Sequence, residues 1–163
     1  SDIGYLLTGP LMIVGLVFLA VVLWVLYQVQ NQQIRTFTIG SESMAPALKV
    51  GETWLMGPKP EHLKIGEIVV FKHPGADQEL VAKRVIALES DRVQSKRGLL
   101  YVNGRPAPPL QGPTPPSETP DKEWVVGPGE CFIAGDNRPL SIDSRDYGPI
   151  PVASVIGVLI RRI

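Results

Sequence analysis

Two serines one residue apart open the stretch SESMAPALKV, residues 41–50, and apolar side chains close in around them: Phe37 and Ile39 before, Met44 and Leu48 after. A serine in such company is either a loop residue kept for solubility or a nucleophile. A nucleophilic hydroxyl needs a group that takes its proton, and histidine is the usual one. His62 sits in PKPEHLK, a charged turn, and His73 in FKHPG, where a strand ends. Neither segment has the surroundings that orient a catalytic imidazole. The flanks of Ser43 also lack the G-x-S-x-G elbow of the α/β-hydrolases.

Lysine is the remaining base, and it can serve only if burial lowers its pKa from the reference of about 10.4. In ELVAKRVIAL, residues 79–88, Lys83 lies mid-strand, with Val81, Val85 and Ala87 on its own face at period two and Ala82, Ile86 and Leu88 flanking Arg84 on the other. A lysine there is costly unless it is paired or neutral. The plain alternative is an edge lysine that snorkels to water. A third segment, GDNRPLSIDSRDYG at 135–148, packs Asp136, Arg138, Asp143, Arg145 and Asp146 together with two serines directly after the apolar run CFIA. Alternating carboxylates and guanidiniums stiffen a loop through charge-assisted bonds. A stiff loop can present a hydroxyl, from Ser141 or Ser144, to orient a neutral lysine.

These groups need a scaffold, and the sequence predicts a mostly β one. Beyond residue 35, short runs with period two or continuous apolarity recur at 36–39, 53–56, 67–72, 79–88, 130–135 and 152–160, with Asn103-Gly104 after LLYV as a hairpin turn. No apolar 3.6 period is sustained there. The segment 105–120 holds seven prolines and should form an extended loop outside the sheets. Cys131 reads as a buried strand residue and says nothing of the compartment. Sixteen basic residues balance sixteen acidic ones, which disfavours a nucleic-acid partner.

The N-terminal part differs. No charge occurs from Ile3 to Ile34, and Leu11–Tyr27 is apolar apart from one hydroxyl; as a helix it would span about 25 Å, near the ~30 Å hydrocarbon layer. The expected organisation is an anchor and stalk over 1–34, the stalk being QNQQ at 30–33, and a catalytic β domain over 35–163. A cleaved signal would carry a basic front and a shorter apolar run instead. Counting Arg35 and Lys49 after the helix would put the domain on the cytoplasmic side.

Three blocks together resemble type I signal peptidase, the membrane-anchored Ser/Lys endopeptidase: SESMAPALKVGE its nucleophile block, GEIVVFKHP with VAKRVIALESDRV its strand and base blocks, and GDNRPLSIDSRDYG its last block. They occur in the family's order after an N-terminal anchor. The resemblance implies a signal-peptidase-like β fold with Ser43 as nucleophile and Lys83 as general base. It makes Ser41 an oxyanion-hole hydroxyl and Ser141 the holder of the lysine. Asp143 and Arg145 support the site, and Asp136 pairs with Arg84. It further implies shallow pockets for small residues at −1 and −3, lined here by Phe37, Ile39, Met44, Leu48, Val70 and Ala82, with Trp54, Leu55 and Met56 on an apolar rim. By the same resemblance neither metal nor cofactor should take part, the partners should be signal peptides of exported pre-proteins and membrane lipid, and the domain should lie outside the cytoplasmic membrane.

The chain departs from the family pattern at Ala47, where threonine is usual, in ALES after the base strand, and at Pro139 and Leu140. The short span from Asp91 to Glu130 leaves room only for a small second β subdomain, as in a compact member with one anchor. Two rivals use the same residues differently. One is a catalytically silent, membrane-tethered β module that binds peptide by strand addition; the other is a repressor-type self-cleaving Ser/Lys protease, which should carry a basic DNA-binding helix.

Overall fold

The computed structural model describes residues 3–31, 35–75, 77–109 and 112–163. The chain divides into two units, Ser1–Gln33 and Ile34–Ile163. The first is a single helix, α1 (Ile3–Asn31), so that Gln30 and Asn31 of the expected stalk continue the helix while 32–34 lie outside the described residues. Within it Gly9–Gln30 has a mean hydropathy of 2.7 and is long and apolar enough to cross a bilayer. Leu11, Phe18, Trp24 and Tyr27 are all more than half exposed. A helix apolar on every side, with no polar face, suits hydrocarbon rather than a water-facing surface.

The second unit is built from two antiparallel sheets. The larger has the order β1 (Arg35–Thr38), β2 (Thr53–Pro58), β11 (Val155–Arg162), β3 (Ile68–Lys72), β4 (Leu80–Leu88), β9 (Glu130–Ala134), β10 (Ile150–Pro151). The smaller has the order β7 (Arg105–Pro106), β6 (Leu99–Val102), β5 (Arg92–Lys96), β8 (Lys122–Val125). Its four short strands are the small second subdomain that the sequence left room for.

Alternation decides which side each residue serves. In β3, Val69 and Phe71 enter one core cluster with Val85, Ile133 and Val155, while Val70 enters another with Ile39, Met44, Leu48 and Ala82. A third cluster, with Phe132, Val93 and Leu100, joins the two sheets. In β4 the period-two reading holds only to Val85. The ladder with β9 shifts register between Val85 and Ala87, so Ala87 joins Ile86 in the third cluster and Leu88 packs with Val81 and Val85. Ala87 therefore leaves the face of Lys83, because a bulge adds one residue and inverts the alternation beyond it.

Asn103-Gly104 forms the expected turn, both residues at positive φ, and Arg97-Gly98 repeats it between β5 and β6. Arg105 and Pro106 do enter a sheet, contrary to expectation, pairing with Val102 and Tyr101. They lie on the edge strand, where the absent proline N–H faces away from β6 and leaves no gap in the ladder. Residues 110 and 111 of the proline-rich segment lie outside the described residues.

Candidate active site

Ser41 and Ser43 sit in a bend and turn, not in a strand, so strand alternation does not place their side chains on one face. The bend brings them together all the same: their hydroxyl oxygens are 3.1 Å apart. Two side chains of the same turn, Met44 and Leu48, are 1% and 0% exposed among Val70, Ala82, Met56 and Leu159. Burying each stabilises the turn by roughly 1.5–3 kcal/mol. Asn137 fixes it from the other side, its N–H donating to Ser43 O at 2.9 Å and its Nδ2 to Glu42 O at 3.1 Å.

Lys83 is 6% exposed and stands opposite Val69 in the β3–β4 ladder. Among the described residues its ammonium makes no hydrogen bond and no ion pair. Burial is the main force on its ammonium and pulls its pKa below the ordinary lysine range; Asp143 and Asp146 oppose that pull, and Arg145 adds to it. Its neighbour Arg84 is fully engaged. The Arg84 Nε and Nη2 donate to the two Asp136 oxygens at 2.7 and 2.6 Å, and Nη1 donates to Gly66 O at 2.7 Å.

The loop 135–148 is stiffened as its charges suggest. Asp143 is fully buried and accepts from Arg145 Nε (2.8 Å), Arg145 Nη2 (2.9 Å), Gly135 N (2.9 Å) and the Ser141 hydroxyl (2.7 Å). Burial alone would raise its pKa, but Arg145 and the other donors outweigh that and hold the carboxyl below the usual range. Asp143 also caps α2 (Ser144–Tyr147), with Asp146 returning the bond to its N–H. Ser144 is engaged elsewhere, accepting from Ile133 N at 3.0 Å. Ser141 donates to Asp143 and has no bond to Lys83 here.

Phe37, Ile39, Met44, Leu48 and Ala82 line a groove of about 180 Å3 that has Ser41 and Ser43 in its wall. Val70 lies beneath it, fully buried in the same cluster. Glu79, Leu80 and Val81 complete that side. Met56 is not a rim residue: it is 5% exposed, because it points into the core from β2 opposite Leu159. Trp54 and Leu55 are half-buried. His62 is exposed beside Glu61, and His73 accepts from Gly75 N and meets the Tyr147 ring edge-on at 5.5 Å; neither bonds to Ser43.

A model of the family described as "Signal peptidase, peptidase S26" matches residues 11–163. The chain belongs to this family. It is 32% identical over 162 residues to signal peptidase IB of Staphylococcus aureus, covering 87% of this chain and 84% of that one. It is 31% identical over 155 residues to signal peptidase I V of Bacillus subtilis (strain 168), covering 81% and 87%. A solved structure of a signal peptidase I from Enterococcus faecalis V583 matches with a TM-score of 0.52 and 30% identity, over 61% of this chain and 98% of that one. Membership makes this chain a peptidase of the signal-peptide-removing class.

Two residues of this signal peptidase that the sequence did not single out shape the site. One is Asn137, which holds the serine turn. The other is Gly135, where any Cβ would run into Ser141 and the Ser43 carbonyl. A glycine at the junction of an apolar strand and a charged loop signals such close backbone approach.

Proposed function

We propose that the chain is a membrane-anchored serine endopeptidase that removes signal peptides with a Ser43–Lys83 dyad, its catalytic unit facing the extracytoplasmic side. The observation that carries this reading is Lys83 itself: a buried amine without an ion-pair partner has little reason to sit in an apolar strand except as a base.

The Ser43 Oγ attacks the carbonyl carbon of the scissile bond while the Lys83 amine takes the hydroxyl proton. The ammonium then gives that proton to the departing amine as the C–N bond breaks, leaving an acyl group on Ser43. Water attacks the ester, again losing a proton to Lys83, and that proton returns to Ser43 Oγ as the signal peptide's acid is released. Ser41, 3.1 Å from the Ser43 oxygen, donates to the developing oxyanion, a contribution of roughly 2.7–4 kcal/mol per donor. Ser141, held by Asp143, orients the amine.

The groove accepts an extended peptide for a backbone reason. Val85 bonds to Glu67 and Gly66 and Glu79 accepts from His73, so the odd residues of β4 direct their backbone groups toward β3. Leu80 and Ala82, of opposite phase, direct theirs to the other edge, which β9 covers only from Arg84 onward. A substrate strand can bond there with small side chains entering the groove beside Met44 and Ala82. With α1 in the bilayer, enzyme and signal helix are confined to one surface, which raises their effective concentration. Incubation with a pre-protein and mass determination of the product's new N-terminus tests the reading. Cleavage after a small residue is expected from the wild type and none from Ser43→Ala; processing by that variant would sink it.

A further inference from the structure

The proline-rich segment has no task in the chemistry above, yet one side chain ties it to the catalytic loop. Arg138 donates from Nε to Gly135 O at 2.8 Å and from Nη2 to Pro108 O at 2.7 Å. Among the described residues it has no carboxylate at ion-pair distance, because Asp136 is taken by Arg84 and Asp143 by Arg145. Its own carbonyl accepts from Arg145 Nη2 at 3.0 Å. Its two acceptors are thus backbone carbonyls on two different segments, and both are fixed.

The path from there to the reacting groups is short. The Gly135 N–H donates to the same Asp143 oxygen that accepts the Ser141 hydroxyl, at 2.9 and 2.7 Å. On its Cα side Gly135 leaves no room between Ser141 and the Ser43 carbonyl. A shift of the Gly135 peptide therefore moves both serines. We propose that Arg138 is a positioning residue for the peptidase reaction: it braces the catalytic loop against Pro108, making the proline-rich segment part of the active-site scaffold.

The residue types suit a brace. Proline fixes φ near −65° and removes chain freedom, so a carbonyl in Ala107-Pro108-Pro109 is a stiff acceptor. A guanidinium spans two acceptors in one plane, which an ammonium does not. Misplacing a reacting group by about 1 Å can lower the rate about 10²-fold.

This inference rests on the Ser43–Lys83 reading, and its test separates the two. The full chain in detergent is assayed on a pre-protein as Arg138→Gln, Arg138→Lys, the double variant P108A/P109A, and the triple combination, with Ser43→Ala alongside. Arg138→Gln should lower kcat about 10- to 100-fold with KM within about twofold of wild type. Arg138→Lys, which retains one of the two bonds, should fall between. The proline variant should lose less, and the triple variant no more than Arg138→Gln alone, since both act through one contact. Wild-type kcat in Arg138→Gln, or losses that multiply in the triple variant, would overturn the proposal. If Arg138→Gln does not fold, wild-type kcat in a folded Arg138→Lys overturns it equally. Cleavage by Ser43→Ala would overturn the dyad and not the brace.

Discussion

The two faces of β4 carry one cation each, a single residue apart, and treat them in opposite ways. On one face Arg84 meets a carboxylate with two bonds and a carbonyl with a third. On the other, Lys83 is more deeply buried, and its ammonium has no partner among the described residues. A buried guanidinium with its donors bonded holds the structure together, while burial without a partner makes an amine easier to deprotonate. The pleat of one strand thus sets a paired cation beside an unpaired one.

The largest effects should appear where that contrast is removed. Lys83→Met should lower kcat/KM by about 10⁴-fold or more, as loss of a member of a catalytic unit does in hydrolases, while leaving the protein as stable or more so. The stability has a definite pH course. The folded pKa of Lys83 is depressed, so between it and the unfolded value of about 10.4 the unfolded chain binds more protons and wild-type stability rises with pH. The advantage of Lys83→Met at neutral pH should therefore shrink as pH approaches about 10. An advantage that grew with pH would mean that the lysine is charged and paired.

Arg84→Met should do the reverse, losing about 3–5 kcal/mol in denaturant unfolding because Asp136 is left charged and 3% exposed. Its catalytic loss should be secondary to that. Next in size is Ser141→Ala, for which we expect a drop of about 10²-fold in kcat at constant fold. In the wild type, kcat/KM should rise with pH as Lys83 deprotonates, with the limb below the ordinary lysine range. A limb near pH 6.5 that disappears in His73→Ala would show that the base is the histidine.

Asp143 sharpens the support side of the comparison. Its folded pKa is depressed, so its stabilisation is complete above the unfolded value of about 3.9 and is lost as pH falls through the folded one. Asp143→Asn should be less stable at neutral pH and less sensitive to acid than the wild type in urea titrations at pH 2–6. The smallest effect concerns Glu79, an exposed residue that lines the same groove as Ser43. Exposed charges are worth about 0.2–1 kcal/mol, so Glu79→Lys should change the preference for basic over acidic substrate side chains upstream of the cleavage site by about two- to fivefold. Equal ratios in both proteins would exclude contact.

The comparison also marks what was legible beforehand. A charge amid Val81, Ala82 and Val85 violates local patterning, which left a buried lysine and a snorkelling edge lysine both open; the structure buries it, at 6% exposure. The Asp136–Arg84 pair came from the resemblance, and the structure shows it with both oxygens engaged. Strands β5 (RVQSK) and β8 (KEWV) escaped notice because most of their residues are polar and they pair with each other across a long stretch of chain, Arg92 opposite Val125. The Arg97-Gly98 turn escaped because arginine seldom adopts positive φ.

By itself the sequence determined what is local. Runs of alternating apolar residues make strands, an uncharged apolar stretch makes α1, Asn-Gly makes a turn, and the hydroxyls, amine and carboxylates that can do chemistry are written in the chain. Tertiary structure decided what depends on distant partners. It placed β11, last in the chain, between β2 and β3, and put the bulge of β4 where β9 meets it. It also closed the serine turn with Asn137 and the charged loop with Pro108. The reason is physical: a side chain's rotamer and a strand's period are set by neighbours along the chain, whereas burial, pairing and pKa are set by what the rest of the chain packs against them.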